Sequence, residues 1–318
     1  VAGSLDSVIG QMRAMGMPDI AAHEIKLNSG RWERYGPRKK AYYRIDARVS
    51  RSGREYFVGA FGYRGQGPYL VEYEGTQLTH DEIVALEAQR QAAQERAARE
   101  RERSIVRAAN DAATTWRTAA SKGFSPYLQR KKIHDVEGWV RFLGLDVVVP
   151  MCRYDQADGA RLKGVQIIRA DGEKRFTAGM EKGGTAAVIG LHQYRQPVLI
   201  AEGLATAASC WLALGKRYRA FCAFDAGNLL PAARVIRELH HDARILFCAD
   251  DDFATDGNPG RAKARAAADE LGRAGVVFPI FRARGDRKLT DFNDLHCDEG
   301  LDEVASQLTS ALKWLPRI

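Results

Sequence analysis

Four short apolar runs pattern the last third of the chain: Val198-Leu-Ile-Ala201, Ala220-Phe-Cys-Ala-Phe224, Ile245-Leu-Phe-Cys-Ala249 and Val276-Val-Phe-Pro-Ile280. Each is too short for a helix and too apolar for a strand with one face in water, which is the pattern of buried parallel strands. Helical patterns separate them, so the stretch predicts an α/β core, a parallel sheet with helices on both faces. Acidic groups follow the runs: Glu202, Asp225, Asp250-Asp251-Asp252, and lastly Asp291-Phe-Asn-Asp294. In an open α/β sheet the ligand crevice lies outside the carboxyl ends of the strands. These segments are therefore expected to converge on one edge, and a divalent cation is the chemical reason to gather carboxylates there.

Upstream, the pattern changes twice. Residues 1–78 predict a small β-rich domain opened by a helix over Leu5–Met15. Alternation over Tyr42–Val49 and Tyr56–Phe61, with Ser50-Arg-Ser-Gly53 between them, reads as a hairpin. Thr79-His-Asp-Glu82 reads as a capping box. From Ile83 to about Ser121 there is no Pro or Gly, which predicts one helix of roughly 60 Å at ~1.5 Å per residue. Its middle, Gln89–Arg103, is polar or Ala and cannot be buried all round, so residues 79–122 read as a helical linker. Residues 123–196 read as a hairpin-rich α+β subdomain and 197–318 as the α/β core.

Charge sharpens this picture. Lys and Arg number 48 against 40 Asp and Glu, giving a pI near 9.3, a balance that suits a polyanionic partner. The front domain interleaves bases with rings, and Arg38, Lys39, Lys40 and Tyr42 are its candidate nucleic-acid contacts, because cations track phosphates while rings stack on bases. The hairpin segment brings Arg130, Lys131, Arg153, Lys163, Lys174 and Arg175 close in sequence, a candidate surface for phosphates facing the acidic edge. The five cysteines, Cys152, Cys210, Cys222, Cys248 and Cys297, form no Cys-x-x-Cys pair. They read as reduced core thiols, and no zinc is expected. No apolar run approaches membrane-spanning length and no signal peptide is visible. The first residue is Val rather than Met, which reads as an excised domain or a tag-cleaved product.

Ala201-Glu-Gly-Leu-Ala-Thr206, Ala223-Phe-Asp-Ala-Gly-Asn-Leu229 and Ala249-Asp-Asp-Asp252 with Asn258-Pro-Gly260 together resemble a Toprim domain. More narrowly, with Tyr127-Leu-Gln-Arg-Lys-Lys132, Gly164-Val-Gln166, Asp171–Phe176 and Asp291-Phe-Asn-Asp-Leu295, the stretch from Gly123 on resembles the primases of phages and conjugative plasmids. That is the TraC-like and P4-alpha-like branch, related to DnaG-type primases. The resemblance implies template-directed RNA primer synthesis during DNA replication, from nucleoside triphosphates, with Mg²⁺ or Mn²⁺. It implies single-stranded DNA as template, a replicative helicase or further domains as partners, and the cytoplasm of a bacterial host as location. Glu202 resembles the Toprim glutamate, and Asp250 and Asp252 the metal-binding Asp-x-Asp pair, with Asp251 pointing away. Asp291 matches one member of a further acidic pair, and Asn293 stands in place of the other. Thr206 stands where DnaG-type enzymes carry Asp.

On this reading Glu202, Asp250 and Asp252 are the catalytic residues, and with Asp291 they hold metal. Arg130, Lys131, Arg153, Lys163, Lys174, Arg175, Gly203, Asp225 and Asn228 contact nucleotide or template. His240-His241 reads as the cationic end of the helix over Leu230–Leu239 rather than as a metal ligand. The same acidic edge also suits a Toprim nuclease, or a DNA-binding module that keeps the fold without catalysis.

Overall fold

The computed structural model describes residues 3–49, 53, 55–72, 80–191 and 196–315, and of residues 80–86, 89 and 90 the backbone alone. The chain divides into two compact units, Val1–Ala97 and Ala98–Ile318. The segments expected as a hairpin subdomain and an α/β core thus share one unit.

The first unit is an antiparallel sheet with one helix on it. Helix α1 (Leu5–Ala14) starts at Ser4, whose Oγ accepts from the Ser7 amide at 3.1 Å. It buries Val8, Ile9 and Met12, one stripe of a helix. Strands β1 (Glu33–Tyr35), β2 (Ala41–Val49), β3 (Glu55–Tyr63) and β4 (Gln66–Leu70) follow in sheet order β1-β2-β3-β4. Ala41, Tyr43, Ile45, Phe57 and Phe61 point to the helix side and form the core with it. The alternation predicted β2 and β3; β1 and β4 are too short and polar to show in it. The turn expected at Ser50–Gly53 lies, apart from Gly53, outside the described residues, and so do Thr79 and the side chains of the capping box at Thr79–Glu82. Helix α2 (His80–Thr118) is the long helix read from the sequence.

The second unit packs two sheets around a shared core. Its first elements are α3 (Pro126–Arg130), then β5 (Arg141–Leu143), β6 (Asp146–Cys152), β7 (Leu162–Ile168) and β8 (Lys174–Phe176), an antiparallel meander in that order. One face of the meander puts Val148 and Val165 against Ala112 of α2 and Ala119 just beyond it. The other puts Val147, Val149, Met151 and Ile168 into the main core. The five-stranded sheet has the order β13-β12-β10-β11-β9, comprising β9 (Ala187–Ile189), β10 (Val198–Ala201), β11 (Ala220–Cys222), β12 (Ile245–Cys248) and β13 (Ala274–Val277). Four strands are parallel; β9 is an antiparallel edge. Residues alternate between two cores. Leu199, Ala201, Leu246 and Cys248 face α4 (Leu204–Ala213), α7 (Phe292–Glu299) and α8 (Leu301–Trp314). Val198, Ile200, Ile245 and Phe247 face α5 (Leu229–Leu239) and α6 (Pro259–Leu271).

The fourth run is set differently from its prediction. β13 begins at Ala274, directly after the left-handed Gly272 and Arg273, and ends before Pro279, which lacks a ladder donor. Its residues are only half-buried, because it is an edge strand.

Candidate active site

Three parallel strands end beside one another, so the residues after them share one edge of the sheet. Glu202 follows β10, Asp225 the turn after β11, and Asp250–Asp252 follow β12. Asp291 comes from the far side as the N-cap of α7, where its Oδ1 accepts from the Asp294 amide at 2.8 Å. Glu202, Asp250 and Asp291 line one cleft of about 360 Å³ with Tyr127, Arg130, Lys131 and Lys174. Acids from the five-stranded sheet and α7 therefore share the cleft with bases from α3 and the meander, and Lys131 lies 3.5 Å from Asp294 of α7.

Electrostatics mark the acidic wall. Burial, then Asp291, Glu202 and Asp252, push the Asp250 carboxyl up to about 9. Burial, then Asp252 and Asp225, raise Glu202, and burial followed by Asp294 raises Asp291. Asp250 Oδ1 is buried without a hydrogen-bond partner. A buried, unpartnered carboxylate oxygen among like charges fits an oxygen-preferring divalent cation. Among the described residues, no three His, Cys, Asp or Glu side chains stand in ligating geometry; repulsion between neighbouring carboxylates favours their separation. The N-terminus of α4 opens into the same cleft at Gly203 and has no side-chain cap, so its free amides suit an anion. A Cβ on Gly203 would approach nothing closer than 3.7 Å, so this glycine leaves room without being sterically required. Gly260 is required: a Cβ there would lie 2.6 Å from the Asp250 carbonyl.

The neighbours of Asp250 take other duties. Asp251 is buried and turned from the cleft, with Arg284 Nη1 and Arg261 Nε each 2.8 Å from its carboxylate. Asp252 Oδ2 accepts from the Gly260 amide at 3.0 Å at the start of α6. It stands outside the cleft lining, although its charge raises both Glu202 and Asp250.

The predicted basic and polar contacts divide. Arg130, Lys131, Lys174 and Gly203 line the cleft; Arg153, Lys163, Arg175, Asp225 and Asn228 do not. Arg153 Nε donates to Asp155 at 2.9 Å and Nη1 to the Gly183 carbonyl. Arg175 is paired with Glu173 and, one residue along β8 from Lys174, points to the opposite side. Lys163 is half-buried on β7. Asp225 pairs with Lys182 and caps the turn at Asn228.

Asn228 corrects its ligand-orienting assignment. Its Nδ2 donates to the Thr185 and Ala223 carbonyls at 2.9 and 2.8 Å, and its Oδ1 accepts from the Gly184 amide at 2.8 Å. Asn228→Ala is expected to lower stability by about 2–3 kcal/mol, since buried partners are left unsatisfied; denaturant unfolding checks it. Asn293 is spent likewise, donating to Ser209 Oγ at 2.9 Å and the Lys131 carbonyl at 2.7 Å. His296 lies against Ser209, with Nδ1 3.1 Å from its hydroxyl. In the first unit, Arg38 and Lys39 form an exposed turn with left-handed backbone, Lys40 follows it, and Tyr42 lies on the outer sheet face.

Sequence reasoning did not assign Tyr127 or Asp171 to the cleft, though both line it. Tyr127 stands in the Tyr-Leu-Gln-Arg-Lys-Lys motif, which was the available signal. Phe224 also lines the cleft, in a left-handed conformation (φ 71°) rare for an aromatic residue.

Residues 197–302 match the Toprim domain family. This part of the chain is a Toprim domain. Over 165 residues the chain is 35% identical to the DNA primase TraC of Escherichia coli, a match covering 49% of this chain and 11% of that protein. The chain thus spans about a tenth of that relative's length. Among solved structures, the primase fragment of the bacteriophage T7 primase-helicase protein aligns over 57% of this chain and 69% of that one, at TM-score 0.39 and 15% identity. A chain from the structure of bacteriophage T7 lagging-strand DNA polymerase interacting with the primase domains of two gp4 subunits aligns over 54% of this chain and 82% of that one, at TM-score 0.37 and 16% identity. No described helix is long and apolar enough to cross a membrane.

The raised carboxyl carries a pH consequence. Folded Asp250 keeps its proton up to about pH 9, whereas an unfolded Asp releases it near 3.9. The folded state binds the extra proton in that window, so stability falls as pH rises through it. In metal-free buffer Asp250→Asn is expected to melt above the wild type at pH 8, with the difference vanishing toward pH 4; scanning calorimetry across pH checks this.

Proposed function

We propose that the second unit is a primase core that joins nucleotides on a single-stranded DNA template by metal-dependent nucleotidyl transfer. The observation that carries this reading is the meeting of acids and bases in one cleft. Asp250, with its unpartnered buried oxygen, Glu202 and Asp291 line it together with Arg130, Lys131 and Lys174.

In that reaction a 3′-hydroxyl oxygen bonds to an α-phosphorus, the bond from that phosphorus to pyrophosphate breaks, and the hydroxyl proton leaves. Asp250, Glu202 and Asp291 would hold the divalent cation. When bound, the cation supplies charge neutralisation at the phosphate and activation of the attacking hydroxyl. Glu202, whose carboxyl burial raises above its ordinary value, would accept the hydroxyl proton. Lys131, Lys174 and the α4 amides bind the triphosphate. Asp252 supports the site from the α6 terminus and adds negative potential at Asp250. The primase name of the TraC relative favours polymer synthesis over strand cutting.

The test is incubation of the full chain with single-stranded DNA, Mg²⁺ and labelled nucleoside triphosphates. Short products that need both template and triphosphate are expected. Metal-dependent cutting of the template without synthesis would move the assignment to a nuclease. Binding with neither activity would sink catalysis by this chain alone.

A further inference from the structure

The outer face of the first unit's sheet has no part in the catalytic reading. Strand register fixes its membership. Arg34 pairs with Tyr42 and Tyr42 with Gly62; Arg44 pairs with Ala60, Asp46 with Val58 and Arg48 with Tyr56. Opposed residues share a face, so these side chains stand on the side away from α1. The floor is small and flat where Gly62 and Ala60 lie. A Cβ on Gly62 would run into the Tyr42 ring, so the glycine lets that ring lie down on the sheet. Trp32 stands edge-on to Tyr42, centroids 5.3 Å apart, and is 45% exposed. The Arg34 guanidinium lies over the Tyr42 ring at 5.8 Å. Arg44 and Arg48 are exposed further along β2, and from Tyr42 to Arg48 the face runs about 20 Å. Among the described residues of these pairs, Arg34, Arg44 and Arg48 face a single acid, Asp46, which lies 4.0 Å from Arg48.

We propose that this face is a binding platform for a single-stranded polynucleotide, with Trp32 and Tyr42 stacking on bases and Arg44 and Arg48 holding phosphates. An exposed indole and a half-buried tyrosine ring beside guanidiniums on a flat sheet match unpaired bases strung on a polyanion. A duplex hides its base faces and offers such rings nothing, so the occupant is single-stranded. The platform differs from the basic turn at Arg38–Lys40, which lies at the sheet's end and supplies charge without rings. No cleft residue belongs to the platform, so it stands apart from the catalytic assignment.

The experiment is ultraviolet crosslinking and fluorescence anisotropy on the full chain, with labelled 20-nucleotide oligo-dT, oligo-rU and a duplex of equal length. Expected are crosslinked peptides within residues 31–48 and tighter binding of the single strands; the two sugars distinguish template from primer as occupant. Trp32→Ala should weaken single-strand binding about tenfold, and Trp32→Phe far less, as stacking predicts. The pair Arg44→Glu and Arg48→Glu should lower the slope of log affinity against log salt by about 1.4, at ~0.7 for each phosphate left without its arginine. Both arginines are exposed, so circular dichroism should be unchanged. Crosslinks confined to residues 123–315, equal affinity for duplex, or unaltered binding by Trp32→Ala would overturn the platform. Asp250→Ala should leave these crosslinks intact, so failure of the catalytic reading would show separately.

Discussion

Asp250→Ala is expected to lower metal-dependent primer synthesis about a thousandfold, while single-stranded DNA binding by the full chain stays within a fewfold of wild type. A cation that polarises a phosphoryl oxygen contributes several kcal/mol to the transition state, and each 1.36 kcal/mol is tenfold in rate. The large effect belongs to Asp250 because of its place. It lines the cleft with Glu202 and Asp291, and its Oδ1 makes no hydrogen bond that would explain burying a carboxylate. Asp252→Ala tests a different arrangement: it removes the acceptor for the Gly260 amide, so part of its effect should appear as lost stability at the start of α6. Lys174→Ala should act mainly on KM, because a counter-charge to triphosphate helps ground and transition states together. Product formation, and titration of Mg²⁺ by calorimetry, separate these variants. If Asp250→Ala synthesised as the wild type does, the cation would have to be held elsewhere.

The acidic wall was legible because sheet geometry leaves little freedom. β10 and β12 are contiguous apolar runs, so their ends, and the acids that follow them, were fixed by the pattern. Asp251 could be read as turned away for the same reason, since successive residues leaving a strand alternate sides. The basic wall was less legible. Arg153 carries the right charge, but Asp155 neutralises it two residues later, a pairing whose direction the sequence cannot show. Lys174 and Arg175 look equivalent in one dimension and lie on opposite sides of β8. Asn228 looked like a ligand contact because it follows a strand end. Its use depends on the Gly184–Thr185 backbone, more than forty residues earlier. The antiparallel β9 is three residues long and carries no alternation to detect.

Asp251→Ala is expected to destabilise the second unit by about 3–5 kcal/mol, the usual effect of removing one partner from a buried charge group, and to lower the melting temperature by about 10 °C. Its carboxylate accepts from Asn258 Nδ2 at 2.7 Å and meets both Arg261 and Arg284. The arginines are themselves stacked, Arg261 at 3.6 Å over Phe278 and Arg284 at 4.4 and 4.6 Å over Phe253 and Phe281. Without Asp251 two guanidiniums remain against apolar rings with no counter-charge. The Asp251 amide also donates to the Thr290 carbonyl at 2.7 Å, which ties the segment leading to Asp291 beside Asp250. Loss of the side chain should therefore loosen the cleft as well as the fold. Burial works to raise the Asp251 carboxyl, but Asn258 and the two arginines outweigh it and hold the group below the ordinary aspartate range. Its contribution is present above the unfolded value and is lost as pH falls through the folded one, so wild type and Asp251→Ala should converge in acid. The adjacent Asp250 has the opposite sign, its folded carboxyl being raised. Melting curves of Asp250→Asn and Asp251→Ala between pH 3 and 8 should thus diverge from wild type in opposite directions as pH rises. Divergence in the same direction would mean that these two neighbours do not occupy the two environments, acidic cleft and basic cage, that the structure gives them.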